Sequence, residues 1–553
     1  MKKLLLAFLA FLLPATVSAQ GVVTSADPRA TEAGQAILRQ GGSAVDAAMA
    51  MMLALTVVEP QSSGIGGGGF LIHHDAQTGL IDTIDGREKA PASATQDRFL
   101  APDGSLKPYM EAVAGGKSVG VPGNVRLMAM ATKKWGTLPW KSLFAPAIKL
   151  AEDGYSVTRP LAGASKSLTP VWTRFPDTAA IYSPGGKPLA EGDIVKNPKL
   201  ARLLRDIADN GPDAFYTGSN AEALLAAVNG SISPGGMTAA DLAAYQAKER
   251  PAVCSPYRSY RVCGMGPPSS GATTVFQILG MLERFDMKAL GKDSPVAWHL
   301  ISEAMLLAYA DRERYLADRD FTEVPVAGLL DPAYMRARSR TISPSKSLNR
   351  YEAGTPPGAP KRIAVSQVEV PSTTHFIAIG RDGDVATMTA TVEGAFGSQL
   401  VANGLVLNNE LTDFTRAPIQ DGHLVANRVE GNKRPLSSMS PSIVFDAAGK
   451  PIFTVGAAGG KTIIMQVAKA IIAHLDWGLS ARDALGEGLV YFNDAGLIVE
   501  QGTAREPMKP ALEKLGHVVT VGKLGLKANA AEKTASGWVG AADPRSVGTA
   551  LSE

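Results

Sequence analysis

The sequence predicts an α+β protein, and three observations support that fold class. Helical patterns dominate from about residue 124 to residue 319, with Val296–Leu316 as the longest example. A stretch rich in Pro and Gly, Ala353–Pro360, then interrupts the pattern. Beyond it, strand-like runs begin at Thr374–Ile379 and Val385–Val392, and helices return later. With 45% hydrophobic and 19% charged residues, the 553-residue chain has the composition of a packed globular protein.

The first nineteen residues are predicted to be a secretory signal and not part of the fold. A basic start with Lys2 and Lys3 precedes the unbroken apolar run Leu4–Leu13, and small residues up to Ala19 suit a signal peptidase. The run is too short to span a bilayer comfortably, so an uncleaved anchor is the weaker alternative. We therefore expect export to a bacterial periplasm, with no stable membrane span. The net charge of +3 gives no electrostatic case for a nucleic-acid partner.

In the N-terminal half, an Ala- and Met-rich helical region, Ala30–Val58, carries the acidic Asp46 and leads into the Gly-rich turn Ser63–Gly69. Two buried strands, Phe70–His74 and Leu80–Ile84, are predicted next. In the C-terminal half, further strands are predicted at Gly404–Leu407, Ser442–Phe445 and Pro451–Val455, and helices at Ile463–Asp476 and Ala481–Gly488.

The only two cysteines, Cys254 and Cys263, lie on two short predicted strands around a turn. In an oxidising compartment they could pair across the hairpin, or they could remain free thiols. His73 and His74 are adjacent on a strand, so their side chains point to opposite faces and cannot chelate one ion together. We therefore predict no catalytic metal and no cofactor.

Two short motifs resemble catalytic or nucleotide-binding motifs but lack the flanking residues that such motifs need. Gly116–Gly120 matches the G-x-S-x-G pattern around Ser118, but Pro122 and Gly123 follow where a helix should start, which favours a turn. Gly459–Thr462 resembles the end of a phosphate-binding loop, but Val455 stands where that loop needs its first glycine. We expect neither a serine nucleophile nor a nucleotide site at these positions.

An ordered series of short motifs carries the functional signal. Each motif is weak by itself, but together they span nearly the whole mature chain. In the C-terminal half they are Pro371–Phe376, Thr389–Gly397, Leu407–Phe414, Lys433–Pro441 and Gly456–Gly460. In the N-terminal half they are Gly42–Ala48, Ser63–Phe70, Gly86–Pro91, Gly120–Gly123 and Pro267–Gly271. In this order and spacing, the series closely resembles the γ-glutamyltransferase family of N-terminal nucleophile hydrolases.

The resemblance implies a four-layer αββα sandwich formed by two subunits of one self-cleaving precursor. Cleavage between Ser372 and Thr373 would leave a large subunit, residues 20–372, which includes the linker at about 353–362. The small subunit, residues 373–553, would begin with the nucleophile. A threonine hydroxyl is a weak nucleophile that needs a base, and cleavage creates one as the α-amine of Thr373 itself. Such amines titrate near ~7.7–8.0, so a useful fraction is neutral at neutral pH.

The other roles also follow from the resemblance. Thr391 would orient the nucleophile, and Gly459 and Gly460 would form the oxyanion hole. Arg87, Ser437 and Ser438 would hold the α-carboxylate of a γ-glutamyl donor, where Arg suits a planar carboxylate. The donor's α-ammonium would contact the acids Glu410, Asp413 and Glu393, the last at a position that is often Asn in the family. Structural readings of Arg87 as an ion pair, and of the two serines as a helix cap, remain open.

One departure from the family concerns the loop Thr415–Asn432, which is short and contains no aromatic residue. Well-studied members often carry a longer loop there, with an aromatic that covers the pocket. We therefore expect a reduced lid and a more open, wetter site, which leaves the balance between hydrolysis and transfer undecided.

The sequence thus predicts an exported γ-glutamyl amidase that passes its acyl group from Thr373 to water or to an amino acid or peptide amine. A glutaryl-type acylase of the same family is the nearest alternative, because the chemistry is shared. A noncatalytic γ-glutamyl-binding relative and a serine hydrolase using Ser118 are the weaker alternatives.

Overall fold

The computed structural model describes residues 20–365 and 372–553, so the predicted signal lies outside the described residues. Within those two ranges, no helix combines the length and the apolarity that a bilayer crossing would need.

Two antiparallel sheets form the centre of the fold. Their strands are β1 (Val22–Ser25), β2 (Gly68–His74), β3 (Ile81–Asp85), β4 (Lys248–Arg250), β5 (Val253–Tyr257), β6 (Tyr260–Gly264), β7 (Thr374–Ile379), β8 (Val385–Thr391), β9 (Ser442–Phe445), β10 (Pro451–Ala458), β11 (Lys527–Thr534), β12 (Gly537–Ala542) and β13 (Thr549–Ser552). The first sheet has the order β13-β1-β7-β8-β2-β3-β4, and the second has the order β12-β11-β10-β9-β6-β5. Each sheet takes strands from both sides of residue 372.

Five helices cover the outer faces of the sheets. They are α1 (Pro28–Arg39), α2 (Ala44–Val58), α3 (Gly271–Leu282), α4 (Pro295–Tyr315) and α5 (Thr462–Leu475). One apolar core lies between α1–α2 and the first sheet, and a second lies between α3–α5 and the second sheet. A third apolar cluster, which includes Ile377 and Phe445, fills the space between the two sheets. The architecture is therefore an αββα sandwich, as predicted.

The remaining elements lie around this sandwich. The other helices are Tyr109–Val113, Asn124–Trp135, Ala145–Asp153, Arg159–Trp172, Pro176–Tyr182, Pro198–Asn210, Asp213–Tyr216, Gly218–Asn229, Ala239–Ala243, Met287–Leu290, Val326–Leu329, Pro332–Thr341, Ala481–Gly486 and Lys509–Lys514. The other strands are Tyr155–Ser156, Ile194–Val195, Val401–Ala402, Leu405–Val406, Ile419–Gln420, His423–Leu424, Val490–Asn493, Gly496–Glu500 and Val519–Gly522.

Local chemistry explains why α2 begins where it does. Ser43 Oγ accepts a hydrogen bond from the Asp46 amide, and the Asp46 carboxylate accepts one from the Ser43 amide, which forms a capping box. The Asp46 carboxylate also accepts from the Thr137 and Leu138 amides, at 2.8 and 3.0 Å. Every residue of α2 is buried, so its apolar character on all sides is what a central helix requires.

The stretch that the sequence marks as a linker is fixed in place by side chains of α4. The Gly354 amide donates to Asp311 at 2.8 Å, and its carbonyl accepts from Tyr315 at 2.7 Å. The segment has no helix or strand, as Pro and Gly dictate, but it packs against the body of the protein. The predicted linker is therefore an anchored segment, and the two central sheets take strands from both sides of it.

Candidate active site

The predicted nucleophile lies at the start of β7, beside the end of β8. The register places Thr374 opposite Ala390, so the next pair along brings Thr373 close to Thr391. Thr373 Oγ1 donates to Thr391 Oγ1 at 3.2 Å, and the Glu393 amide donates to that same oxygen at 2.7 Å. Thr373 also has a φ of +94°, a strained conformation for a β-branched residue. The hydroxyl is thus oriented, and the backbone at the predicted cleavage point is strained.

The predicted oxyanion glycines follow β10 and precede α5. The Gly459 amide donates to the Ser372 carbonyl at 2.9 Å, and this is the carbonyl that self-cleavage would attack. Gly459 has a φ of +129°, and a Cβ there would lie 2.5 Å from Thr462 Oγ1, so the position requires glycine. Because α5 begins at Thr462, its positive N-terminal end lies next to the place where an oxyanion would form.

Arg87 follows β3 and is completely buried. Its guanidinium forms ion pairs with Glu410 and with Asp413, the latter at 2.6 Å. It also donates to the carbonyls of Pro435 and Leu436, at 3.2 and 3.0 Å. The fork is therefore placed between two acids and two carbonyls, which fixes its plane.

A second group of ion pairs fixes the backbone at Arg87. Asp85 accepts from the Arg87 amide at 2.8 Å and pairs with Arg434 at 2.5 Å and Arg250 at 2.7 Å. The Tyr245 hydroxyl donates to the Arg87 carbonyl at 2.6 Å. These contacts fix the backbone of Arg87 and use none of the guanidinium N–H donors.

Glu393 has a φ of +76°, which turns its side chain back toward the cluster. Its carboxylate accepts from the Asn409 amide group and lies 3.4 Å from the Tyr109 hydroxyl. Arg416 in turn stacks on the Tyr109 ring, 5.3 Å from its centroid. Burial and the nearby Glu393 raise the pKa of Tyr109, so its hydroxyl stays protonated and can donate. Sequence reasoning missed Tyr109, because nothing around it in the sequence indicates a site.

Glu88 is a fourth acid that sequence reasoning did not assign to the site. Its carboxylate is fully buried and lies 3.7 Å from Arg87 Nη1. Burial raises the pKa of Glu88 to about 7, and burial also raises the pKa of Glu410 well above its usual value. Together with Glu393 and Asp413 there are four acids around one arginine, so the cluster retains protons near neutral pH.

The serine pair is held by residues of the N-terminal half. The Ser270 amide and hydroxyl both donate to the Ser437 carbonyl at 2.7 Å. The buried Arg312 of α4 donates to Ser438 Oγ and to Ser270 Oγ, both at 2.9 Å. Arg312 is a further residue that sequence reasoning missed, since a charged residue in a long helix usually faces solvent.

The predicted residues surround one small cavity of about 20 Å³. Its walls include most of the predicted site: Arg87, Thr373, Thr391, Glu393, Glu410, Asp413, Ser437, Ser438 and Gly460. Thr373 is only 5% exposed, and the cavity has room for about one water molecule. The uncut chain therefore has a nearly closed cavity, in which Arg87 is paired with Glu410 and Asp413. The open, wet site expected for the processed enzyme stays a prediction.

Residues of the G-x-S-x-G motif and of the motif that resembles a phosphate-binding loop have structural roles. Ser118 lies in a 3₁₀ turn, and its hydroxyl is directed at the backbone carbonyls of Val113 and Gly115. Lys461 pairs with Glu313 of α4 at 2.7 Å. His73 stacks on Trp135 and His74 contacts Phe445, on opposite faces of the first sheet as predicted.

A disulfide joins Cys254 and Cys263 across the β5–β6 hairpin.

Among the described residues, one buried group brings metal-ligating side chains together: His299, Glu303 and His517. The two ring nitrogens of this group are hydrogen-bonded to each other at 2.7 Å, and His299 also contacts the Ser343 carbonyl. Glu303 accepts from the Leu348 amide at 3.2 Å, so each member of the group has a hydrogen-bond partner within the protein.

Comparison with known proteins identifies the family. The family model for gamma-glutamyltranspeptidase matches residues 30–552. The glutathione hydrolase proenzyme of Bacillus subtilis (strain 168) is 39% identical, over 91% of this chain and 85% of that protein. The glutathione hydrolase proenzyme of Escherichia coli (strain K12) is 38% identical, over 96% of this chain and 91% of that protein. A solved cephalosporin acylase from Bacillus halodurans superposes with a TM-score of 0.85 at 25% identity, over 99% of each chain. The chain therefore belongs to the γ-glutamyltranspeptidase family.

Proposed function

We propose that this γ-glutamyl-transferring and hydrolysing enzyme acts through an ester between the γ-glutamyl group and Thr373, after self-cleavage before that residue. One observation carries the proposal. Thr373 Oγ1 contacts Thr391, while the Ser372 carbonyl accepts from Gly459, both beside the arginine–acid cluster. Self-cleavage and formation of the γ-glutamyl ester need the same nucleophile and the same oxyanion donor.

Self-cleavage would proceed in two steps, an acyl shift and an ester hydrolysis. Thr373 Oγ1 attacks the Ser372 carbonyl carbon, the Gly459 amide stabilises the oxyanion, and the C–N bond breaks as the amide nitrogen takes a proton. Water then hydrolyses the ester, leaving a carboxylate on Ser372 and a free α-amine on Thr373. Residues 20–372 and 373–553 remain together because both sheets contain strands from each. Release of the Ser372 carbonyl would free the Gly459 amide to donate to the oxyanion of a donor substrate.

In turnover, the neutral α-amine of Thr373 would accept the hydroxyl proton while Oγ1 attacks the γ-carbonyl carbon of the donor. The leaving amine takes the proton, and water or a second amine then attacks the ester. Gly459 and Gly460 would donate to the oxyanion in both halves, and one such donor contributes about 3–4 kcal/mol.

The charges favour a donor that carries both an α-carboxylate and an α-ammonium. Arg87, with Ser437 and Ser438, would take the carboxylate, and Glu393, Glu410 and Asp413 would take the ammonium. A glutaryl group lacks the ammonium, so it would leave buried acids without a partner, at a cost of roughly several kcal/mol. Glutathione-like γ-glutamyl amides are therefore the proposed donors.

The second candidate is a glutaryl or cephalosporin-type acylase, which the structural likeness to the Bacillus halodurans enzyme favours. The noncatalytic and Ser118 alternatives have less support, because the Thr373–Thr391 pair is in place and Ser118 is bonded to backbone. Periplasmic export remains a proposal that rests on the first nineteen residues.

Self-cleavage is tested by mass analysis of the purified protein under denaturing conditions. We expect two fragments that meet between Ser372 and Thr373, and a Thr373→Ala variant that stays whole and loses at least about 10³-fold in activity. Ser118→Ala is the matched control and should process and turn over normally. A single stable full-length chain from the unsubstituted protein would refute self-cleavage.

Donor choice is tested by turnover of γ-glutamyl and glutaryl anilides side by side, with and without an acceptor dipeptide. The proposal expects a γ-glutamyl preference in kcat/KM of at least about a hundredfold, in line with the cost of unpaired buried acids. A glutaryl preference would establish the acylase alternative instead.

A further inference from the structure

A second, larger cavity lies on the other side of the predicted cleavage point. It has a volume of about 380 Å³, and its walls include Ser372 and Gly459. The small cavity, in contrast, contains Thr373 and Gly460. The two cavities are therefore separated by the Ser372–Thr373 bond and by the glycine pair that would hold the oxyanion.

The position of this second cavity matches one half of the proposed reaction. An amide substrate has an acyl half and an amine half, which extend to opposite sides of the attacked carbonyl carbon. The arginine–acid cluster accounts for the acyl half. The amine half, which is first the leaving group and later the acceptor, needs a space that opens on the same glycines.

Lys527, at the start of β11, is the charged group in this cavity with donors to spare. Its ammonium pairs with Glu59, whose other oxygen accepts from Thr374 Oγ1 at 2.7 Å. An ammonium has three donors, and Glu59 is the one partner of Lys527 among the residues that the structure describes. The other basic group in the wall, Arg545, is fully engaged with Glu500 and Asp543.

We infer that the 380 Å³ cavity is the amine-side subsite and that Lys527 binds the carboxylate of an amino acid or short peptide there. This inference rests on the proposed function. The acceptor's neutral amine attacks the ester carbon, forming the new C–N bond while the C–Oγ1 bond to Thr373 breaks. The amine's proton passes through the α-amine of Thr373 to Oγ1, which restores the hydroxyl. A side chain 20% exposed and tied to the residue after the nucleophile is well placed for this contact.

The test compares two acceptors that differ only at the carboxylate: glycylglycine and glycylglycine amide. Transfer from a γ-glutamyl anilide to each is measured in the unsubstituted protein and in Lys527→Gln. We expect the free dipeptide to be preferred about tenfold in kcat/KM, as one charge-assisted hydrogen bond supports, and Lys527→Gln to abolish that preference. Lys527→Arg should restore much of it.

The ratio between the two acceptors does not depend on how much of each preparation has folded or processed. Lys533→Gln, on the exposed part of the same strand, is the matched control and should keep the full preference. Equal use of both acceptors by the unsubstituted protein, or a preference that survives in Lys527→Gln, would overturn the subsite alone. No turnover of the anilide at all would overturn the proposed function and the subsite with it.

Discussion

The acyl-side and amine-side cavities differ in size, in charge and in how their charges are paired. The acyl side is about 20 Å³ and has four acids near one fully buried arginine, three of them in the cavity wall. The amine side is about 380 Å³ and contains one lysine, Lys527, whose ammonium pairs with Glu59 alone among the described residues. A buried cluster discriminates strongly, because any missing partner leaves a charge without compensation, whereas a roomy cavity selects weakly. The proposed enzyme should therefore be strict about its acyl group and tolerant of its amine.

Loss of Arg87 should cause the largest effect on this contrast. Arg87→Gln leaves Glu410 and Asp413 without their cation, and breaking such a buried pair costs about 3–5 kcal/mol. We expect kcat/KM for a γ-glutamyl anilide to fall by at least about a hundredfold, together with a lower melting temperature. The exposed Arg336→Gln is the control, and a loss smaller than about fivefold would show that acyl recognition lies elsewhere.

Arg312 acts one step further from the donor, as a positioning residue. Arg312→Lys keeps the charge but cannot donate to Ser438 and Ser270 in the same fork. We expect the donor KM to rise about tenfold with kcat nearly unchanged, and the ratio between dipeptide and dipeptide amide acceptors to stay the same. If kcat and KM change together along with stability, Arg312 has only a structural role.

The donor KM should depend on pH, because the acyl side has more acids than bases. Burial holds the pKa of Glu88 at about 7, so it keeps its proton until then. As the pH rises from 6 to 7.5, Glu88 becomes charged and adds a negative charge to the cluster that would face the donor's ammonium. We expect the donor KM to fall by a few-fold over that interval, and Glu88→Gln to flatten the profile.

The same raised pKa has a stability consequence. The contribution of protonated Glu88 is fully present below its ordinary pKa of about 4.5 and is lost as the pH rises through about 7. The free energy of unfolding should therefore decrease more between pH 4.5 and 7 in the unsubstituted protein than in Glu88→Gln. Equal slopes would contradict the buried, protonated state.

Tyr109 should have the smallest effect. Its hydroxyl lies 3.4 Å from Glu393, which is a long hydrogen bond at the edge of the cluster. Tyr109→Phe should raise the donor KM about two- to threefold and leave acceptor choice unchanged. A larger loss would mean that this residue closes the acyl side more tightly than its geometry indicates.

Sequence motifs predicted the acyl-side residues because those residues lie within short, ordered segments. Arg87, Glu410, Asp413, Ser437 and Ser438 all lie in such segments, and the structure brings them together around one cavity. The strands that carry Thr373 and Thr391 were likewise predicted from their apolar and β-branched residues. Glu88 was within a recognised motif but was not assigned, since its burial cannot be read from neighbouring residues.

The residues that sequence reasoning missed have no local signal. Arg312 lies in the last turn of α4, Tyr109 on a one-turn helix, and Lys527 at the start of a strand rich in Ala and Lys. Two short strands, β1 and β13, were missed as well. Each has four residues and depends on pairing across the sheet, because β13 pairs with β1 and β1 also pairs with β7.

By itself, the sequence determined the fold class and the family, and it predicted the nucleophile and the residue types of the proposed acyl pocket, because these depend on ordered local patterns. The tertiary structure decided what those patterns could not contain. It showed that a fourth acid joins the cluster, that the uncut pocket is closed and that a second cavity faces the same glycines. It also showed that the segment near residue 354 is anchored. Each of these facts depends on burial and on pairs of residues far apart in sequence, and only packing brings such pairs together.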